Sequence, residues 1–466
     1  MENEQKNGAA FTEGKIASPL IRFTLPLLFA LLMQSLYGAV DLMVIGKFGT
    51  AADVSAVATG SQMMMTVTCL FTGLAVGTTV LLGQKLGAGK EDEAGDVIGS
   101  NVCFFAALAL VVMGLMFLLA APFTRLMNTP AEAVAGTLDY FRICSGGIVF
   151  IVAYNVLGSV FRGLGDSKTP LYTVMIACAF NILGDLLLVA VFRMRAAGAA
   201  LATVFAQGIS VAASLLIIKR RGLPFPFGRK NVRFNGRLIL DTVRLGAPIA
   251  LQDLLVSFSF LVINSIVNSL GLIFSAGVGV AERVCGFIML VPMAFSQALS
   301  AFVAQNAGAG RDDRSKKAMG FGMLFSFAAG IVLAYLAFFH GDLLGRAFSK
   351  DAQVVAAAAD YLKAYAIDTL LVSFLFCFLG YFNGCGKTAF VMAQGLVGAF
   401  LVRIPVSWLM SRADAPTLFG IGLATPASTV VQITMCVIYL IILRGMRKKE
   451  RKEGKNDENE AESAAV

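Results

Sequence analysis

Long apolar stretches alternate with short polar or glycine-rich segments along almost the whole chain. A helix needs roughly 20 apolar residues to cross a bilayer core about 30 Å thick, and each stretch reaches this length. The runs are continuous rather than alternating, so they predict helices and not the strands of a membrane barrel. The pattern predicts twelve membrane-spanning helices, at 18–45, 54–82, 96–121, 135–160, 169–193, 197–218, 238–268, 274–304, 317–340, 353–381, 388–411 and 418–443.

The composition agrees with this pattern. The 466 residues are 57% hydrophobic and 14% charged, and the mean hydropathy is +0.77. An ordinary soluble domain is about 45–50% apolar and about 25% charged. The sequence therefore indicates an all-α integral membrane protein and excludes a soluble enzyme.

Few residues could hold a metal or a cofactor. The single histidine, His340, argues against His-ligated zinc, haem and di-iron centres, and the eight cysteines never form a C-x-x-C pair. The segment Gly384-Cys385-Gly386-Lys387-Thr388 resembles the end of a phosphate-binding loop, but Tyr381 stands where that loop requires glycine. We expect no metal, cofactor or ATP site.

The charge distribution predicts the orientation. The formal net charge is +9, and most lysines and arginines lie in the loops on the side of the two termini. The positive-inside rule places that side in the cytoplasm, so we expect a multi-pass protein of the plasma (inner) membrane with both termini cytoplasmic. The basic loops lack interleaved aromatic residues, which favours membrane lipids as partners over nucleic acid.

A basic, proline-containing linker divides the spans into six and six. The predicted organisation is a cytoplasmic N-terminal segment, a six-helix bundle, the cytoplasmic linker, a second six-helix bundle and a charged cytoplasmic tail without regular structure. Their ranges are 1–17, 18–218, 219–237, 238–444 and 445–466.

The two halves are repeats of each other. Gln84 with Gly87-Ala88-Gly89 recurs in the second half as Gln305 with Gly308-Ala309-Gly310. Other motifs recur at a nearly constant spacing along the chain: Phe161-x-Gly163-x-Gly165 as Phe382-x-Gly384-x-Gly386, Arg22 and Pro26 as Arg244 and Pro248, and Gly198-x-x-Leu201-Ala202-Thr203 as Gly420-x-x-Leu423-Ala424-Thr425. Because each half has an even number of spans, the halves are parallel repeats with an expected cavity at their interface.

With these motifs the chain resembles the multidrug and toxic compound extrusion (MATE) family of antiporters. The motifs that carry the resemblance are Leu36-Tyr37-x-x-Val40-Asp41-x-x-x-x-Gly46, Gln84-x-x-Gly87-Ala88-Gly89, Phe161-Arg162-Gly163-x-Gly165-Asp166-x-Lys168, Asn181-x-x-x-Asp185 and Gln305-Asn306-x-Gly308-Ala309-Gly310. The resemblance implies two six-helix bundles that face each other in a V. It also implies alternating access and export of small amphipathic, mostly cationic compounds against proton or sodium entry.

Two acidic residues lie deep in predicted spans of the first half. Insertion of an ionised aspartate at a helix centre costs about 2.5–3.5 kcal/mol, so an aspartate at such a position indicates a structural or functional role. Asp41 shares a helix face with Gln34, with Tyr37 beside it, and Asp185 lies one turn beyond Asn181. Neighbouring buried carboxyl groups exchange protons as a coupled pair, which suits a coupling-ion site. The alternative is an aspartate that hydroxyl groups satisfy and that only holds helices together.

Resemblance to the DinF-like branch of the family implies further residues at this site. By motif position the resemblance implies cation coupling through Asp41, Asp185 and Asn181, with Asn155, Thr203 and Tyr140 as further members. The coupling cation would be H⁺, and sodium at Asp41 and Asp185 stays open.

The acidic residues of the second half match those of known family members less well. NorM-like relatives carry sodium-site carboxylates at positions that correspond here to Val256 and Val372, about a turn from Asp253 and Asp368. Asp368 follows the polar residues Asp360 and Lys363 near a predicted interface, which favours a structural role. For the substrate cavity the sequence suggests Gln34, Tyr37, Asp253, Ser257, Glu282 and Met289. Hydrogen bonding between helices, or a position at the membrane interface, is the alternative for Asp253 and Glu282.

The sequence predicts a monomeric secondary transporter for multidrug or cationic compounds, and not an enzyme. An intramembrane enzyme would need a buried histidine or nucleophile constellation, and His340 falls at a helix end. A flippase for lipid-linked precursors in the same superfamily remains the alternative, although the charges predicted inside the membrane are largely acidic.

Overall fold

The computed structural model describes the backbone of residues 9–464 and the side-chain surroundings of residues 11–446. Within that part of the chain, eleven helices are long and apolar enough to cross a membrane. A twelfth span consists of two helices that meet at Gly147 with a bend of 56°. The all-helical class and the twelve predicted spans are confirmed.

The first half contains eight α-helices. They are α1 (Ala9–Thr12), α2 (Ala17–Phe48), α3 (Ala51–Gly87), α4 (Glu91–Leu126), α5 (Ala131–Gly146), α6 (Ile148–Leu164), α7 (Lys168–Asp185), which continues as a π-helical segment (Leu186–Val191), and α8 (Arg195–Arg221).

Among the described residues, the second half contains ten α-helices. It contains α9 (Gly236–Asn268), α10 (Leu272–Ile288), α11 (Leu290–Gly308), α12 (Asp312–Phe339), α13 (Gly341–Arg346), α14 (Ala352–Gly384), α15 (Thr388–Leu396), a π-helical segment (Val397–Arg403), α16 (Ile404–Ser411), α17 (Leu418–Gly422) and α18 (Ala424–Ala464).

Two stretches differ from the sequence expectation. The connection between the halves is shorter than the predicted linker, because α8 ends at Arg221 and α9 begins at Gly236. The charged tail was expected to lack regular structure, whereas α18 continues through it to Ala464. Its lysine, arginine, glutamate and alanine residues have high helix propensities, which explains the continuation.

The two bundles meet where α3 and α11 end. A Cβ on Gly87 would collide with the backbone of Gln305, and a Cβ on Gly308 would collide with the backbone of Gln84. The Gln84 side-chain amide donates to the Gly384 carbonyl at 3.1 Å, and the Gln305 amide donates to the Gly163 carbonyl at 2.9 Å. We call this contact of Gln84–Gly87 with Gln305–Gly308 the closed end.

Beyond the closed end, the two bundles stay in close contact for several turns along α3 and α9. Gly73 lies against the backbone of Ala250, and Gly77 lies against the backbone around Gly246. Only glycine permits such close approach, because any side chain would separate the helices.

Beyond Gly73 the same faces of α3 and α9 are exposed to solvent or lipid. On α3 the exposed residues include Met65 and Thr66, and on α9 they include Asp253 and Ser257. The helices therefore diverge away from the closed end and leave a cleft between the bundles.

The N-terminal segment packs under the second bundle. Phe11 is buried against Phe23 and Phe302, with ring centroids 5.0 and 4.9 Å away. The Asn306 side-chain amide donates to the Phe11 carbonyl at 2.9 Å, and the Arg314 guanidinium donates to the carbonyls of Phe11 and Gly14 at 3.2 and 2.6 Å. This segment thereby joins α2 to α11 and α12.

Candidate functional site

Asp41 on α2 and Asp185 at the end of α7 come together inside the first bundle. Asp41 is 7% exposed and Asp185 is fully buried. The Asp41 carboxyl group faces the side chains of Asp185, Asn181 and Thr203. The structure thus unites four of the six residues that the sequence predicts for cation coupling.

The polar atoms of this cluster are short of hydrogen-bond donors. Within the described residues, both oxygens of Asp185, one oxygen of Asp41 and the side-chain oxygen of Asn181 are buried without a hydrogen-bond partner. Two ionised carboxylates so close together would repel each other, and buried acceptors without donors are costly. A proton shared between the carboxyl groups, or a small cation bound to them, would remove both penalties.

Thr203 and Tyr140 complete the cluster. The Asn181 amide donates to the Thr203 hydroxyl at 3.5 Å, and that hydroxyl donates to the Ala199 carbonyl at 3.0 Å. Tyr140 is 4% exposed and lies beside Thr203. Tyr140 therefore joins the acidic cluster, as the family resemblance implies.

Asn155 lies on α6 and forms its hydrogen bonds outside the acidic cluster. Its amide donates to the Ile151 carbonyl at 2.8 Å, and its oxygen accepts from the Thr72 hydroxyl at 3.3 Å. The Thr72 contact ties α6 to α3, and the structure does not bring Asn155 into the Asp41 cluster.

A small cavity adjoins the acidic cluster. Its lining combines polar groups with two alanines: Tyr37, Tyr154, Ala177, Asn181, Thr203, Ala206 and Gln207. The Tyr37 hydroxyl faces the side chains of Gln34 and Gln207. Gln34 and Tyr37, predicted as substrate-cavity residues, thus lie within the first bundle next to the acidic pair.

Asp253 and Ser257 lie in the cleft between the bundles. Both side chains are exposed, and Asp253 is close enough to Cys69 on α3 for its charge to act on the thiol. The Ser257 hydroxyl donates to the Asp253 carbonyl at 2.8 Å. Because Asp253 follows the α3 contact at Ala250 by one turn, its carboxylate stands at the floor of the cleft.

Glu282 and Met289 belong to the interior of the second bundle. The Asn264 amide donates to the Glu282 carboxylate at 3.3 Å, which ties α9 to α10. Met289 stands at the break between α10 and α11 and packs against the core of the second bundle. The structure does not group these two residues with Asp253.

Asp368 was expected near an interface, but it is fully buried in the middle of α14 and accepts from the Thr429 hydroxyl at 2.6 Å. Asp360 is the residue nearer the helix end, where it accepts from the Phe419 amide.

Sequence reasoning missed Arg403. It is 7% exposed, donates to the Ser259 hydroxyl at 3.3 Å and stacks over Phe260 at 4.5 Å. The signal was present, because an arginine inside a predicted span is as unusual as an aspartate.

The fold and this polar interior define an all-helical, multi-pass membrane protein built from two repeated six-helix bundles. Comparison with known proteins identifies the family: the MatE family model matches residues 26–187 and again 248–409. The chain belongs to the MatE family, and it is a transport protein.

Relatives and solved structures agree with this assignment. The chain is 30% identical to the "Probable multidrug resistance protein YpnP" of Bacillus subtilis (strain 168), over 89% of this chain and 92% of that protein. It is 26% identical to the "Probable multidrug resistance protein YoeA" of the same organism, over 90% and 92%. A structure described as the outward-facing conformation of a multidrug resistance MATE family transporter of the MOP superfamily superimposes with a TM-score of 0.89, at 18% identity, over 95% of this chain and 99% of that one. The last similarity concerns the fold alone.

Proposed function

We propose that the protein exports small amphipathic, mainly cationic compounds in exchange for protons that enter through Asp41 and Asp185. The observation that carries the proposal is the buried pair of carboxyl groups, in which both oxygens of Asp185 and one oxygen of Asp41 lack a hydrogen-bond partner within the described residues. A proton satisfies such a pair directly, and its release returns two charges that repel each other. Asn181, Thr203 and Tyr140 would hold the carboxyl groups in place.

Sodium at the same pair is the second form of the proposal. Carboxylate and amide or hydroxyl oxygens are hard ligands, and Asp41, Asp185, Asn181 and Thr203 supply them. The cluster has two acids, so a bound sodium ion and a bound proton would serve the same electrostatic purpose.

The substrate would enter the cleft above the closed end. Asp253 presents a negative charge at its floor, which favours cationic ligands, and Met65 adds a polarizable apolar surface. The names of the two Bacillus relatives as multidrug resistance proteins support a broad range of substrates. Nothing among the described residues favours a lipid-linked precursor.

Alternating access would open the closed end and close the cleft. The proton would act through α2, which carries Asp41 and contains Pro26, a position where helices bend. We further propose a monomer in the plasma membrane with both termini cytoplasmic, so that the closed end lies on the cytoplasmic side. The bundles would correspond to 18–218 and 238–444, joined by the linker 219–237.

Transport into everted membrane vesicles tests the proposal. With respiration supplying the proton gradient, ethidium uptake and dequenching of a pH dye are followed with and without sodium. We expect ethidium-evoked proton release that is independent of sodium and absent in Asp41→Asn. Coupled transport that survives in inserted Asp41→Asn protein would refute the role of the acidic pair, and strict sodium dependence would replace the proton by sodium.

A further inference from the structure

The second bundle has a basic pocket beside the closed end. The pocket lies between α12, α14, the turn before α15 and α18, and its lining combines three cations with a tyrosine, a cysteine and two leucines: Lys316, Tyr381, Cys385, Lys387, Leu440, Leu443 and Arg444. Lys316 lies near the start of α12, and Arg444 follows the apolar part of α18. The pocket therefore lies where two membrane spans change from apolar to polar sequence.

The cations of this pocket have few acidic partners. Lys316 forms an ion pair with Asp313 at 3.7 Å, and the Asp313 side chain is exposed. Lys387 and Arg444 are exposed, and neither forms an ion pair with any other described residue. The pocket therefore presents positive charge to an incoming ligand.

The three cations have no basic counterparts in the first bundle. In the registers of the repeated motifs, the counterparts of Lys316, Lys387 and Arg444 are two glycines and one acid: Gly95, Asp166 and Gly222. The repeats therefore differ in charge at this place.

In the first bundle, the chain itself covers the corresponding surface. Gly222, with a φ of +75°, ends α8, and the connection between the halves begins there. This connection places Phe225, which is 6% exposed, in a core cluster that includes Val160. It also lies so close to Gly95 that a Cβ there would be 3.2 Å from the Pro226 carbonyl oxygen. Apolar and backbone groups of the connection thus occupy the first-bundle site.

In the second bundle, the chain takes a different course. Arg444 stands at the position of the turning glycine, and α18 continues through it as a helix. The Tyr439 ring stacks on the Phe390 ring with centroids 3.9 Å apart, which holds α18 against α15. Leu440, Leu443 and Arg444 share one face of α18, so the pocket joins an apolar wall to a basic rim.

We propose that this pocket binds an anionic phospholipid, which occupies in the second bundle the place of the connection in the first. The phosphate group accepts from Lys387 and Arg444, and an acyl chain lies along Leu440 and Leu443. Basic residues at the ends of membrane helices attract anionic head groups, and charge-assisted hydrogen bonds to phosphate are strong. A soluble phosphate would leave the apolar wall uncovered, which favours a lipid.

The midpoint of thermal unfolding tests the lipid directly. Delipidated full-length protein in detergent is titrated with dioleoylphosphatidylglycerol, dioleoylphosphatidylcholine or inorganic phosphate. A ligand that binds the folded state raises the midpoint, so we expect a rise with phosphatidylglycerol alone. An equal rise with phosphatidylcholine would show that charge plays no part, and an equal rise with inorganic phosphate would show that the occupant is a soluble anion. Either result would overturn the proposal.

The double variant Lys387→Gln/Arg444→Gln tests the position. Each basic residue near an anionic head group contributes about fivefold in affinity, so the half-effective concentration of phosphatidylglycerol should rise about 25-fold. The matched control is Arg229→Gln/Lys230→Gln, which removes the same charge from exposed positions of the connection and should cause no shift. Equal shifts in the two double variants would indicate general attraction to a basic surface and contradict a defined site.

The wild-type protein offers a readout that does not depend on the folding of a variant. Cys385 lines the pocket, whereas Cys103 lies on α4 in the other bundle. Phosphatidylglycerol, and not phosphatidylcholine, should slow the alkylation of Cys385 by N-ethylmaleimide and leave that of Cys103 unchanged. Alkylation of Cys385 at the same rate with both lipids would overturn the proposal.

Discussion

At the residue scale, the acids inside this protein have different surroundings. Asp185 is fully buried beside another carboxyl group, Asp368 is fully buried and accepts from the Thr429 hydroxyl, and Asp253 is exposed in the cleft. Burial beside a like charge favours exchange of a cation, and exposure suits attraction of a ligand. The surroundings of each acid therefore decide which role it can take.

Asp253 should affect substrate affinity without affecting coupling. A charge interaction across a water-filled cleft is worth about 1 kcal/mol at 4 Å, which is about fivefold in affinity. We expect Asp253→Asn to raise the half-saturating concentration of ethidium by about that factor while leaving proton release intact. The matched control is Ser257→Ala, which removes a polar group one turn away and should have little effect. Loss of proton release in Asp253→Asn would contradict this assignment.

The sequence predicted the acidic pair because charged residues inside apolar spans are costly and few. It did not predict the partner of Asn155, since Thr72 lies on another span and only the packing of α3 against α6 joins them. Arg403 was not predicted, because its contacts with Ser259 and Phe260 lie on α9, a different span.

At the scale of elements, the glycine-rich ends of α3 and α11 do more than turn the chain. The sequence indicates tight turns at Gly87-Ala88-Gly89 and Gly308-Ala309-Gly310. In the structure, Gly87 and Gly308 also lie directly against the backbone of the other bundle. No local pattern reveals this contact, because it joins residues from opposite halves of the chain. The spans and the repeat were therefore predictable, and the closed end was not.

Gly87→Ala should loosen the closed end. The added methyl group would meet the Gln305 backbone, and such overpacking typically costs about 1–3 kcal/mol. We expect faster hydrogen–deuterium exchange in the peptides 80–90 and 301–311 and a lower unfolding midpoint. Gly114→Ala on α4 is the matched control, because a Cβ there meets open space. Unchanged exchange in Gly87→Ala would show that the bundles do not close through this contact.

The N-terminal segment should stabilise the second bundle. Removal of a buried phenylalanine side chain costs about 3–5 kcal/mol in protein cores, and Phe11 is 3% exposed. Phe11→Ala should therefore lower the unfolding midpoint in detergent. Phe29→Ala on α2 is the control, because Phe29 is 52% exposed and loses few contacts. Equal effects of the two substitutions would argue against a structural role for the segment.

At the scale of the whole molecule, the two repeats have the same fold and unequal chemistry. The first bundle contains the Asp41–Asp185 pair, three of whose oxygens lack a hydrogen-bond partner among the described residues, and the second contains the buried residues Asp368 and Arg403. The closed end joins the bundles, so a change of charge in one can be transmitted to the cleft between them. This asymmetry agrees with the proposal that coupling takes place in the first bundle.

The central claim is that substrate and protons compete through Asp41 and Asp185. Its most direct test is the proton release on addition of ethidium to purified protein in weakly buffered detergent solution, followed with a pH dye. The account predicts release from the wild-type protein and none from Asp41→Asn or Asp185→Asn, with release retained in Asp253→Asn at higher ethidium concentrations. Undiminished release from both first-bundle variants would contradict it.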